Sequence, residues 1–307
     1  MELAILLSLG ASLCTATASV CQRLGARQAH RGEMRGFDPL LVFRLARQPA
    51  WLLGFASMIA GFVFQVSALR FGPLALVQPI LAVELLWVFG YLVLRATGRR
   101  ARWREWGAAI AMSAGISVFL RAAAPTGGHE HAHAAAWWAA GLAAGAAVTI
   151  VVAAAGDGPP PRRAACLGIA TGISWGFVAA VIKEMSSYVA GGPAAIFTTW
   201  SPYVLAVTGA AAMLLASHAM SAGPLAAAQP GFTIGDPVTA ILLGAFLFGE
   251  RLGTSPVALA AEVLGLLVLA LGVRTLSGSE LITGVPPVPA AAGPDERPVP
   301  DRHGVGR

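Results

Sequence analysis

The sequence predicts an all-α membrane protein of about nine transmembrane helices in two inverted-topology repeats, and three observations lead there. The 307 residues are 56% hydrophobic and only 12% charged, about half the charge of a soluble globular domain. The apolar residues fall into runs near the ~20 residues needed to cross a bilayer. One phrase also occurs twice, as "GPLALVQP" from Gly72 and as "GPLAAAQP" from Gly223.

The first run, 2–21, contains an "ATAS" stretch resembling a leader cleavage site, yet it opens on Glu2 with no Lys or Arg and reads as a retained helix. Further runs follow at 50–69, 72–94, 106–120, 136–155, 164–182, 195–216, 222–248 and 256–273. Residues 276–307, rich in Pro, Gly and charge, read as a disordered cytoplasmic tail. The expected division is a first repeat over 1–121, an outer loop with connector helix over 122–163, and a second repeat over 164–275.

Basic residues set the expected orientation. Loop 22–49 holds Arg23, Arg27, Arg31, Arg35, Arg44 and Arg47, and loop 95–105 holds five more arginines. The positive-inside rule places both in the cytoplasm, with the N-terminus outside and the C-terminus inside a plasma membrane. An additional short helix at 38–48 would reverse the N-terminus. Basicity so distributed implies a lipid bilayer as partner and no nucleic acid.

With that topology the third run enters from outside and the eighth from inside, so the repeated phrase is inverted. Inverted repeats point to a secondary transporter with its site near the midplane, between the halves. Pro79 and Pro230 each lack an N–H and leave the carbonyls of Ala75 and Ala226 without helical partners, and Pro237 does the same to Thr233. The second copy is therefore expected to be the more disrupted. Such backbone is tolerated at membrane depth where it is buried in protein or lines a wet cavity.

Glu84 and Asp236 fall near the centres of their runs, where a carboxylate costs about 3 kcal/mol and marks a functional position. With Gln78 and Gln229, and more weakly Gln65 and Glu262, they suit a cation or proton pathway. Lys183 and Glu184, closing the sixth run, read as an interfacial anchor pair.

Here the residues resemble a known group. The paired helices, the "FGERL" of Phe248–Leu252 and the short helices after each are similar to the drug/metabolite transporter superfamily, EamA-like and NIPA-like magnesium transporters with Ala/Val/Leu-rich sequences. The resemblance covers about residues 1–275 and implies a helical bundle with alternating access. EamA-like members carry an acid after each Pro-containing helix; Glu250 matches in the second half, whereas Arg99 stands at the aligned position of the first.

Other signals carry less. "GISWG", Gly172 to Gly176, matches a nucleophile elbow in letters only, because it lies in an apolar helix. Gly168, Gly172 and Gly176 instead read as a close-packing face, and Gly141 with Gly145 likewise. His129, His131 and His133 with Glu130 form an outward tract that could capture a metal ion. Cys14, Cys21 and Cys166 show no metal spacing. No phosphate loop, cofactor motif or enzymatic constellation stands out. The expected function is movement of a small solute or a divalent cation such as Mg2+, of unassigned oligomeric state; the competing reading is a non-transporting membrane assembly protein.

Overall fold

The structure is a computed structural model that describes residues 1–29, 48–95, 101–223, 225–253 and 255–279. Residues 38–47 of the short helix weighed above, the tail beyond Ser279 and Arg99 lie outside the described residues. Among the described residues the regular structure is helical, apart from one isolated bridge. The helices are α1 (Glu2–Ala29), α2 (Pro49–Phe71), α3 (Leu74–Leu81), α4 (Glu84–Arg95), α5 (Trp103–Ala123), α6 (Ala134–Ala155), α7 (Pro160–Ser186), α8 (Gly192–Phe197), α9 (Ser201–Ala222), α10 (Leu225–Phe248) and α11 (Pro256–Ser277).

Nine helical segments among the described residues are long and apolar enough to cross a membrane, α3 and α4 together making one. Each predicted run corresponds to one of them. The seventh begins later than predicted, at Ser201 rather than 195. Thr198 and Thr199 turn their hydroxyls back onto the Ala195 and Ile196 carbonyls and end α8, and Pro202 starts a new helix where its missing N–H is harmless. Large apolar side chains such as Val63, Leu142, Val207 and Leu264 are exposed on the outer faces, as expected of a bundle surrounded by lipid.

Glycine sets the closest helix pairs. A Cβ on Gly172 would stand 2.5 Å from the Gly231 carbonyl oxygen and 2.8 Å from Gly235 Cα, and one on Gly176 would stand 2.5 Å from Thr239 Cβ. The glycine face of α7 thus lies backbone to backbone on α10. α5 and α11 meet the same way, a Cβ on Gly115 falling 2.5 Å from the Leu269 nitrogen. Gly141 and Gly145 do not behave as predicted: a Cβ on Gly141 meets only Phe177 at 3.9 Å, and one on Gly145 meets nothing within 4 Å. α6 packs on α7 through larger side chains, among them Trp137 against Phe177.

The two Pro-containing segments reverse the expectation. The first copy breaks: α3 ends at Leu81, the Ala82–Val83 turn is closed by Val83 N–H donating to Ile80 O at 3.0 Å, and α4 restarts at Glu84. The second copy, with Pro230 and Pro237, runs unbroken from Leu225 to Phe248. Contact along the α7 glycine face runs past both prolines of α10, whereas among the described residues α3 meets a glycine of another helix only at its start, Leu74 against Gly244.

The spans have two ends. One, called here the basic end, carries the end of α1, the start of α2, the end of α4, the start of α5 and the end of α11. The other carries Met1, the Gly72–Pro73 turn, the 124–133 loop and the 249–255 loop. At this second end Thr126 and Arg251 form an antiparallel bridge, N–H to O at 3.0 and 2.9 Å.

Candidate functional site

A cavity of about 930 Å³ lies among α1, α2, α3, α4, α7, α9 and α10. It gathers most of the residues singled out from sequence: Gln65, Gln78, Glu84, Gln229, Asp236 and Pro237 all line it. Pro79 and Pro230 do not, although each adjoins a lining glutamine. Glu262 lies elsewhere, buried on α11 with its Oε1 unpartnered among the described residues.

The break between α3 and α4 puts Glu84 in the first turn of α4, where the positive end of the helix favours a carboxylate. Its Oε1 accepts a hydrogen bond from Ser19 Oγ of α1 at 2.8 Å, and one turn on Trp87 Nε1 donates to Ser12 Oγ at 3.1 Å. Elsewhere in the lining, Asp236 Oδ1 on α10 and Gln78 Nε2 on α3 are both buried without a hydrogen-bond partner among the described residues. A buried polar group left unpaired costs about 1–3 kcal/mol, so this wall is built against its own stability. The rest of the lining mixes the hydroxyls of Thr15 and Thr233 with aliphatic and aromatic side chains, Phe62, Tyr91, Trp175 and Phe232 among them.

The lining is uneven along the spans. Ser19, Val20, Tyr91, Leu92 and Val273 carry it toward the basic end, while on α7 it stops at Ile182. The next residue, Lys183, belongs to a clasp that sequence reasoning did not assemble. α10 stops at Gly249, whose left-handed backbone (φ +64°) favours glycine, and the Glu250 N–H folds back onto Gly244 O at 3.1 Å. That turn aims the Glu250 side chain back at the start of α3. Its carboxylate accepts from the Leu74 and Ala75 N–H groups at 2.6 and 3.0 Å, amides that no helical carbonyl can reach. Lys183 Nζ lies 3.0 Å from the same carboxylate and donates to Gly72 O at 3.0 Å, with 11% of its side chain exposed and none of Glu250's.

The repeated Gly-Pro-Leu-Ala phrase thereby gains a structural role in its first copy: it presents two helix-start amides and one carbonyl to an ion pair from the other half of the chain. Gly244 is required beside it, since a Cβ there would run into the Glu250 carboxylate. The anchor-pair reading of Lys183 and Glu184 is corrected. Neighbours on a helix point about 100° apart, and Lys183 turns to Glu250 while Glu184 turns to the 124–133 loop. The signal in the sequence was that Lys183 is the chain's lone lysine.

The His tract disperses rather than converging. His131 Nδ1 lies 3.1 Å from Glu184 Oε1, Glu130 pairs with Arg70 at 2.8 Å, and the His129 N–H donates to Phe248 O at 2.6 Å. His133 precedes α6 without a capping side-chain bond. Among the described residues no group of three or more His, Cys, Asp or Glu is placed to hold a metal ion. The Tyr188 ring lies against His131 with centroids 4.8 Å apart and planes tilted by 48°; burial first, then the Glu184 charge and hydrogen bond, raise its phenol above the ordinary value.

No family model matches the chain, and no solved structure matches it. It is similar to a protein of Corynebacterium glutamicum described as uncharacterized, with 28% identity over 253 residues that cover 81% of this chain and 86% of the relative. The site is thus conveyed by its geometry alone: a polar-lined cavity inside an apolar helical bundle, ending on one side at a buried ion pair.

Proposed function

We propose that the protein is a secondary transporter of the drug/metabolite superfamily, moving a small solute or a divalent cation such as Mg2+ across the plasma membrane by alternating access. The observation that carries the reading is the cavity lining, where Asp236 and Gln78 hold buried polar atoms without partners among the described residues, beside the α3–α4 break that Leu81, Ala82 and Glu84 bring to the same cavity. Unpaired groups of this kind are retained where something else pairs them, and broken helices flanking a midplane cavity are a recurrent feature of transporters.

The inverted-repeat reading draws support from the pairing of helices. α1 packs on α2 as α7 packs on α9, α3 meets α10, and α5 meets α11, so corresponding elements of 1–121 and 164–275 make like contacts. In this reading the arginine-rich ends face the cytoplasm. The Glu250–Lys183 clasp then shuts the outer side, and the cavity communicates with the inner one. Opening outward requires α3 to leave Glu250.

Liposomes containing the purified full chain test the proposal, with uptake of Mg2+ read by an internal dye and of metabolites by mass spectrometry. Flux by wild type that is lost in Glu84→Gln with Asp236→Asn supports it. Absence of flux of any solute by a folded wild type refutes it.

A further inference from the structure

The cavity's chemistry narrows what it takes. Resting on the transport reading above, we infer that the solute is an organic amine: a cationic nitrogen joined to an apolar body of roughly aromatic size. Three observations converge.

The first is charge. Two carboxylates, Glu84 and Asp236, line the cavity, and no Lys, Arg or His lines it among the described residues. Two cations adjoin lining residues in the sequence: Lys183 is turned away into the clasp with Glu250 and Gly72 O, both at 3.0 Å, and Arg274 is exposed at the end of α11. An anion would meet two like charges and, among the described residues, no cation; a cation meets both carboxylates.

The second is size. A magnesium ion keeps several waters, and six waters occupy about 180 Å³ at ~30 Å³ each. The cavity holds about 930 Å³, at the upper end of the ~300–1,000 Å³ typical of sites for organic ligands. A hydrated ion would fill about a fifth of it.

The third is the lining. Phe62, Trp175 and Phe232 sit with the carboxylates on the walls, and aromatic faces attract alkylated and protonated nitrogen while shedding little from an apolar body. A divalent ion gains nothing from such walls that water does not give it. Asp236 and Gln78 line the cavity, and their Oδ1 and Nε2 are buried without partners among the described residues; a small turn of each side chain would offer an acceptor to an ammonium N–H and a donor to an oxygen on the same solute.

The test is an isosteric charge series on the full chain in detergent, read by tryptophan fluorescence, since Trp175 lines the cavity. The probes are benzylamine, benzyl alcohol, benzoate and magnesium chloride. Saturable binding of benzylamine alone is expected, weakened about thirtyfold or more by Asp236→Asn and by Glu84→Gln, as for removal of one partner of a desolvated charge pair. Equal binding of benzyl alcohol or benzoate overturns the inference, as does saturation by magnesium without benzylamine. The series on wild type stands even if a variant fails to fold. Counterflow of labelled benzylamine in liposomes separates the two readings: binding without counterflow refutes transport and leaves the amine site standing, whereas flux of Mg2+ without amine binding does the reverse.

Discussion

Replacing Glu250 by Gln tests the clasp at its centre. The carboxylate accepts two helix-start amides at 2.6 and 3.0 Å and a lysine at 3.0 Å, fully buried. Glutamine offers one acceptor oxygen, turns an NH2 group toward a donor, and leaves Lys183 without its counter-charge. Breaking a buried pair from one side costs about 3–5 kcal/mol. Lys183 retains the Gly72 carbonyl at 3.0 Å and some exposure, so the lower figure applies. At about 2–4 °C per kcal/mol for chains of 150–250 residues, the melting temperature should fall by about 6–12 °C, nearer the smaller value for 307 residues. Lys183→Met should cost less, because Glu250 keeps both amides. The double variant removes both charges and should lose at least about 1 kcal/mol less than the sum of the singles. Thermal melts of the four proteins in one detergent measure this. Additive losses, or a Glu250→Gln melt within about 2 °C of wild type, would refute the clasp.

Other perturbations follow from the same geometry. Gly172→Leu drives side-chain atoms into the Gly231 carbonyl and Gly235, so a loss of about 1–3 kcal/mol or more is expected in thermal melts. Gly145→Ala, with open space around it, should leave the melt unchanged. Gly244→Ala crowds the Glu250 carboxylate, and its cost should shrink in the Glu250→Gln background. A single cysteine at Gly128, in a chain stripped of Cys14, Cys21 and Cys166, should react with an impermeant thiol reagent from outside intact cells; labelling only after lysis would reverse the orientation.

The spans were legible because hydropathy and length identify a membrane helix without tertiary information. The polar lining was legible for the same reason: Gln65, Gln78, Glu84, Gln229 and Asp236 are conspicuous in apolar runs, and bringing them to one cavity requires only that buried polar groups avoid lipid. Which proline breaks its helix was not legible. Pro79 and Pro230 remove the same hydrogen bond, but Gly168, Gly172 and Gly176 of α7 lie along α10, while among the described residues a glycine of another helix meets α3 only at Leu74. The clasp was missed because Lys183 and Glu250 each sit at a span end, where a charge is normally solvated. Their pairing depends on the Gly249 turn and on a helix start far away in sequence. The His tract misled in the opposite way. Alternating histidines suggest ligands by composition, but in the loop tied down by the Thr126–Arg251 bridge Glu130 turns to Arg70 and His131 to Glu184 instead of converging.

The central claim is that the cavity communicates with the basic end and that the clasp closes the other. A lone cysteine at Ala82, which lines the cavity at the α3–α4 break, tests it most directly in oriented vesicles treated with an impermeant thiol reagent on one side. The account predicts labelling from the basic side only, and from both sides once Glu250→Gln and Lys183→Met release α3. Labelling of the unmodified clasp protein from the opposite side, or a labelling pattern that the two substitutions leave unchanged, would contradict it.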